Sequence, residues 1–451
     1  MKILILIIFA LTYVGIIAFP KYKPHISGCA ALVCAVACAI SGHMKWFGAF
    51  TAIDYNVVMM LVGIMIIVGL FSESGMPNRL SDKIIAKIPN AMWILVLLSV
   101  LSGVISAFVD NVATVLMLAP IGLAVSKKLN VSPIPVLISI AVSSNLQGAA
   151  TLVGDTTSVM LAGELKMSFM DFFVMNGKPS IFFAVELGML LTIPVLIIIF
   201  RKQNKKFSYI PEPTKVSTYF PSFMLVLTIL CLMICSFITL PSGFIKEHIN
   251  GLVCMSFGIV CVIHHLLTTK KTEITKTQED GSITTQFIGG KKQAVKTILG
   301  TIDFPTVLFL TFLFIIISAV ESVGIIKDIS GFFGSIGAKN IFLLYTLIVF
   351  GSVLISAFID NIPYVATMLP VIAGLGLGAD VQTLLCFGLL CGATLGGNIT
   401  PVGASANVVA IGMLNKEGFN VRAKDFFKIG IPFTLVAVLG GYGFIWLFWG
   451  V

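Results

Sequence analysis

Ser106-Ala-Phe-Val-Asp-Asn111 and Ser356-Ala-Phe-Ile-Asp-Asn361 are near copies standing in the two halves of the chain. Each lies inside a long apolar run, 92–125 and 341–376. A carboxylate at lipid depth is energetically costly and by default marks a functional site. Two of them in matching frames predict one structural unit used twice. Composition sets the environment: of 451 residues, 57% are hydrophobic and 11% charged, with a mean hydropathy of +1.05. Soluble domains are about a quarter charged, so the chain reads as an all-α polytopic membrane protein.

Working outward, apolar runs near the spanning length of about 20 residues fall at 2–19, 25–42, 53–71, 181–200, 219–240, 249–267, 304–323 and 429–449. The first is too long for a signal-peptide core and has no small-x-small site before Lys21, so it reads as a retained span. Two further runs, 131–163 and 383–413, are interrupted by Gly, Asn, Thr and Pro. Interrupted apolar segments at corresponding places in two halves point to a transporter's binding site. The expectation is therefore two re-entrant hairpins (92–125 and 341–376), two broken spanning helices (131–163 and 383–413), and about ten crossings besides the hairpins.

The positive charges test that topology. With the N- and C-termini outside, all 29 Lys and Arg except Lys2, Lys45, Lys166, Lys178, Lys246, Lys327 and Lys339 fall in inside loops, as the positive-inside rule asks. The net charge of +9 thus has a topological origin and implies no nucleic-acid partner. The unit 44–200 then begins outside and ends inside, and 301–451 runs the other way, which makes the repeats inverted. Asp54 matches Asp303, Pro120 matches Pro370, and Val153-Gly154 matches Val402-Gly403. Residues 1–43 and 201–267 read as scaffold helices, and 268–300 as a polar cytoplasmic linker, poorly ordered in part. The nine cysteines sit in apolar segments without metal-ligand spacing and read as small buried hydrophobes.

The chemistry is expected at the interruptions. Asp110 and Asp360 can cap the second hairpin arms, but Ser or Thr would do that without placing a charge in a low-dielectric site. Desolvation favours the neutral acid and a bound cation favours the carboxylate, so such a group exchanges a proton for a metal ion. Asn111, Asn361 and, one turn on, Thr114 add oxygens of the hard type that sodium prefers. Asp110, Asn111, Asp360 and Asn361 form the expected sodium set. Gly148, Gly154, Gly396, Gly397, Pro401 and Gly403 break the facing helices. There Asn145, Thr151, Asp155, Thr156 and Thr157 in one copy, and Asn398, Thr400, Ser405 and Asn407 in the other, supply side-chain oxygens. Asp54 and Asp303 read as helix N-caps, and Glu186 as a relay or a paired residue near one end of its span. No nucleophile–base pair, Walker sequence or dinucleotide fingerprint occurs, so neither an enzyme nor a cofactor is expected beyond the coupling ion, sodium or proton.

The Ser-Ala-Phe-[Val/Ile]-Asp-Asn hairpins and the segment Gly396-Gly397-Asn398-Ile-Thr400-Pro-Val-Gly403-Ala-Ser405-Ala-Asn407 resemble the family of arsenite permeases, bacterial sodium/proton antiporters and the melanosomal P protein. That family belongs to the ion transporter superfamily with the citrate and divalent-anion:sodium symporters. The resemblance covers about 50–450 and implies a homodimer of scaffold and transport domains working as an elevator in a bacterial-type plasma membrane. In the divalent-anion symporters the tips carry Ser-Asn-Thr, which bind sodium and substrate carboxylate. Here Asp110-Asn111-Val112 and Asp360-Asn361-Ile362 stand in those places, and two nearby carboxylates would repel a dianion. The usual Gly-Asp-Pro-Pro-Asn of the first broken helix is here Gly154-Asp155-Thr156-Thr157-Ser158. The leading expectation is sodium (or lithium)/proton exchange through Asp110 and Asp360. The alternative is an anion permease or symporter for arsenite, antimonite or a small carboxylate such as citrate or succinate. A channel-like pore fits two separately gated hairpins less well.

Overall fold

The computed structural model describes residues 1–19, 22–45, 48–207, 215–238, 243–269, 271–277, 283–337 and 340–450. Lys21, Lys270 and Lys339 of the charge pattern, and the end of the 219–240 run, lie outside the described residues. In chain order the helices are α1 (Lys2–Ala18), α2 (Lys23–Ile40), the single turn α3 (Gly48–Thr51), α4 (Tyr55–Glu73), α5 (Met76–Ile85), α6 (Ala91–Ser106) and α7 (Asn111–Leu129). Then come α8 (Ile134–Gly148), α9 (Thr156–Leu165), α10 (Ile181–Phe200), α11 (Phe220–Phe237), α12 (Phe244–Thr268) and α13 (Gly290–Thr301). The last are α14 (Phe304–Ser322), α15 (Ile325–Gly337), α16 (Ile341–Ser356), α17 (Asn361–Ala373), α18 (Ala379–Gly396), α19 (Ser405–Lys416) and α20 (Ala423–Trp449). Among the described residues, nine helices are long and apolar enough to cross a membrane. Leu32, Phe223, Leu354 and Leu447 are among many large apolar side chains left exposed; in lipid this is the stable arrangement.

Helix starts follow the same local rule in both halves. Asp54 accepts from Val57 N at 3.0 Å and Asp303 from Thr306 N at 3.2 Å, capping α4 and α14. Asn90 caps α6 through Trp93 N (3.3 Å), and Asn340 caps α16 through Leu343 N (2.9 Å). Each cap satisfies N–H groups that the first helical turn cannot. The order α4–α10 recurs as α14–α20, with Pro120 inside α7 and Pro370 inside α17.

Small residues set the helix contacts. A Cβ on Gly63 would stand 2.3 Å from the Cys254 carbonyl carbon, so α4 and α12 cross almost backbone to backbone. Gly392 lets α18 approach α16 likewise, since its Cβ would lie 2.3 Å from Val349 O. The packed pairs α6–α8, α16–α18 and α10–α20 form the central body. Around it α2 packs on α14, and α12 on α4. All nine cysteines are free thiols, six of them buried.

Two expectations need adjustment. The first arm of the 383–413 segment, α18, starts earlier than expected, at Ala379, and is by itself of spanning length, while the break at 397–404 falls at mid-segment. The stretch 268–300, expected as a partly disordered linker, holds an antiparallel ladder in which Lys271–Thr277 pairs with Ile283–Gly289; residues 278–282 lie outside the described residues. Its last third is α13, which docks on α4 and α12 with Ala294 and Ile298 buried. The apolar positions four apart on α13 explain the docking, a period easily overlooked in a charged stretch.

Candidate functional site

Both hairpin tips are built alike. α6 ends at Ser106, three residues turn, and Asp110 caps α7 by accepting from Val112 N (2.9 Å) and Ala113 N (3.1 Å) on Oδ1. α16 ends at Ser356, and Asp360 Oδ1 accepts from Ile362 N at 3.3 Å. Asn111 is buried, held by Ser106 Oγ on its Oδ1 (2.6 Å), while Ser144 Oγ donates to its carbonyl (3.1 Å). Gly148 makes room for that amide: a Cβ there would lie 2.5 Å from Asn111 Oδ1.

Each break is pinned to the tip of its own half. Thr151 Oγ1 donates to Ala107 O, and Thr400 Oγ1 donates to Ala357 O at 2.5 Å. At the first break the carbonyls of Gly148, Ser106 and Ala107 converge on Gly154, within 2.5–3.0 Å of where a Cβ would be. At the second, the carbonyls of Gly397 and Ala357 converge on Gly403 at 2.7 and 2.8 Å. Such unwound carbonyls are the partial negative charges that coordinate cations in broken membrane helices. Asp155 caps α9, taking Thr156 N on Oδ1 and Thr157 Oγ1 on Oδ2, both at 2.8 Å. Asn361 Nδ2 reaches the same Oδ2 at 3.3 Å, so the second tip contacts the first break. α19, by contrast, has Ala404 at its cap position and no side-chain cap.

These parts enclose a cavity of about 370 Å³. Asp110, Asn111, Asn145, Asp155, Thr156, Asp360, Asn361 and Ser405 line it. Six other residues expected at the site do not; one of them, Thr157, spends its hydroxyl on Asp155 Oδ2. Thr114, Thr151 and Thr400 spend their hydroxyls on backbone carbonyls, Thr114 at 3.5 Å from Val109 O. Asn398 and Asn407 are buried in an amide cluster with Asn145: Asn145 Nδ2 donates to Asn398 Oδ1 (2.8 Å) and Asn407 Oδ1 (3.1 Å). Asn398 returns a bond to Val142 O, and Asn407 to Gly397 O, both at 2.9 Å. These residues shape the breaks instead of facing the lumen, because a polar side chain sealed among helices must find its partner there.

Four contributors are not marked as such by the sequence. Asp303 and Thr306 line the cavity from the start of α14, so the α14 cap is also a fourth carboxylate of the lumen. Thr301, at the end of α13, closes the same wall. The fourth is Lys23, expected only as a loop charge, whose Nζ lies 2.7 Å from Asp360 Oδ2. The Asp54–Asp303 match was the one available signal for Asp303; nothing local marks Lys23. Glu186 does not line this cavity and sits beside Gln147 on α8.

A profile described as citrate transporter (CitMHS) matches residues 4–387. The chain belongs to the citrate transporter family. It is accordingly a membrane transporter. An uncharacterized transporter of Mycobacterium tuberculosis is 28% identical over 453 residues, covering 99% of this chain and 98% of that one. The human P protein is 25% identical over 454 residues, covering 86% of this chain and 53% of its own length. Among solved structures, the YdaH transporter of Alcanivorax borkumensis aligns with a TM-score of 0.55 at 13% identity, over 91% of this chain and 88% of that one. Neisseria gonorrhoeae MtrF, described among antimetabolite efflux pumps, gives 0.56 at 12% identity over 92% and 83%. At these identities the likeness concerns the fold, which this transporter shares.

Proposed function

We propose that this transporter is a secondary active carrier coupled to a monovalent cation, exchanging sodium or lithium against protons. The observation that carries the reading is the convergence of Asp110, Asp155, Asp303 and Asp360 on one cavity. Like charges held close together favour uptake of a proton or a metal ion, and the adjoining unwound carbonyls supply hard oxygen ligands. Cation site residues are Asp110, Asn111 and Asp155, with Asp360 engaged by Lys23. The mechanism is alternating access by two inverted repeats, 44–200 and 301–451, with hairpins and broken helices moving as an elevator against α1, α2, α11 and α12 in a homodimer. The membrane is a bacterial-type plasma membrane with both termini outside.

The test is a substrate panel in proteoliposomes loaded with a pH dye: sodium, lithium, arsenite, citrate and succinate under an imposed proton gradient. Sodium- or lithium-driven proton flux in the wild type, lost in Asp110→Asn, is the expected result. Flux that survives in both Asp110→Asn and Asp360→Asn sinks the reading.

A second reading has its own observation. The uncapped first turn of α19 places Ala404, Ser405 and Ala406 on the cavity wall, and free N–H groups at a helix start favour an anion. A small carboxylate such as citrate, the class named by the family, would bind there. Four carboxylates would repel it unless it entered with cations. Citrate-driven flux that requires the cation would favour this symport over exchange.

A further inference from the structure

We propose that Lys23 is a tethered counter-ion that reserves Asp360, so that the two acidic tips are unequal and a mobile cation is held on the Asp110–Asp155 side of the cavity. This rests on the cation-coupled reading above. The two tips have the same sequence pattern and the same cap, and on those grounds should be interchangeable. Their surroundings make them different.

At the second tip, Lys23 Nζ stands 2.7 Å from Asp360 Oδ2, and both side chains are 21% exposed. The same ammonium lies 5.9 Å from the centroid of Phe309, a buried ring on α14. Lys23 is not among the cavity-lining residues, whereas Asp360 is. The lysine therefore meets the carboxylate from the α2 side, and the carboxylate is shared between lysine and lumen. A second contact fixes the same geometry: Tyr13 on α1 donates to Pro363 O at 2.6 Å and bonds the Thr367 hydroxyl. In this conformation the N-terminal helix pair thus holds α17 both at its cap and in its first turns, contacts that an elevator movement would release.

At the first tip the charged neighbour has the opposite sign. The carboxylate of Asp303 acts on Asp110, and Asp110 forms no ion pair among the described residues. Asp155 lies between the tips, facing the charges of both Asp110 and Asp360. Pairing Asp360 with Lys23 leaves Asp110, Asp155 and Asp303 without a cation of their own. A charge-assisted bond to a cation carried on the chain is strong, and tethering keeps that cation at high effective concentration. Sodium from solution competes poorly for Asp360 and meets no such competitor at Asp110.

The experiment is equilibrium binding of radioactive sodium to the purified full-length protein in detergent, with choline chloride holding ionic strength constant and size exclusion checking the fold. Lys23→Gln is expected to bind one more sodium per chain than the wild type. Lys23→Arg and the charge-neutral Lys23→Gln/Asp360→Asn should both match the wild type. An unchanged count and half-saturation in Lys23→Gln, with a wild type that binds sodium, overturns the tethered counter-ion and leaves the cation reading standing. A wild type that binds neither sodium nor lithium overturns both. Should Lys23→Gln fail to fold, the double variant decides: wild-type binding supports the inference, and loss of a sodium shows that Asp360 holds the mobile ion.

Discussion

Asn145 on α8 and Asn398 at the second break meet side chain to side chain, Nδ2 to Oδ1, at 2.8 Å in a buried site. This bond ties the two broken helices to each other, 253 positions apart in sequence. Asn398 also donates to Val142 O, so both ends of its amide are spent on α8.

Replacing Asn398 with Ala is expected to leave Asn145 Nδ2 with Asn407 Oδ1 as its one remaining acceptor and to take the side-chain donor from Val142 O. A buried polar group left without its partner costs about 1–3 kcal/mol. Asn145→Ala should cost a similar amount, and the double variant less than the sum, because both changes remove the same bond. Thermal unfolding in detergent measures all three; strict additivity would show that the amide bond contributes nothing.

Gly154→Ala should destabilise the first break, since its Cβ would sit 2.5 Å from Gly148 O and 2.9 Å from Ser106 O. Those are backbone atoms of the tip and the break, and they cannot rotate away. Overpacking of this kind costs about 1–3 kcal/mol, and Gly403→Ala should behave alike. Gly412→Ala on α19, where a Cβ meets nothing within 4 Å, should instead be neutral or gain up to about 1 kcal/mol. Melting temperatures of the three variants, with transport measured alongside, check the contrast.

Asp303→Asn separates capping from charge. Asn caps about as well as Asp, so the melting temperature should hardly move, while the half-saturating cation concentration for transport rises several-fold. Asp54→Asn is the internal comparison. Its cap is equivalent, but it lines a different cavity with Lys166, Lys246 and His248, so cation saturation should stay at the wild-type value. Identical transport curves for the two variants would mean that Asp303 is a cap and nothing else.

Asp110 is separable in the same way. Asp110→Asn and Asp110→Ser keep an acceptor for Val112 N and Ala113 N and should fold with near wild-type stability. Asp110→Ala removes the cap and should cost about 1 kcal/mol more. All three should lose cation-coupled flux. Retained flux in the Asn and Ser variants, with loss only in Ala, would reduce the residue to its capping role.

Much of this arrangement was readable in advance. Gly154, Gly403, Pro401 and the Asp-Asn pairs marked the breaks and tips because a glycine, a proline or a cap acts within a few residues of itself. The sequence marks Thr151 and Thr400 as polar groups at the breaks and points them to the lumen. Their hydroxyls instead close on Ala107 and Ala357, and no local pattern says whether a buried hydroxyl turns to a carbonyl or to a cavity. In α13 the charge outweighs a short apolar period, so that stretch reads as linker from sequence.

The sequence alone determined that the chain is a helical membrane protein with two similar halves and an acid at each tip, since hydropathy, breaks and caps are properties of neighbouring residues. Tertiary structure decided which carboxylates share one cavity and what each one faces. Lys23 and Asp360 stand 337 positions apart, and only the docking of α2 on α14 brings them together. The partner of a buried charge is fixed by packing between distant helices, and two tips of the same pattern therefore end in opposite electrostatic surroundings.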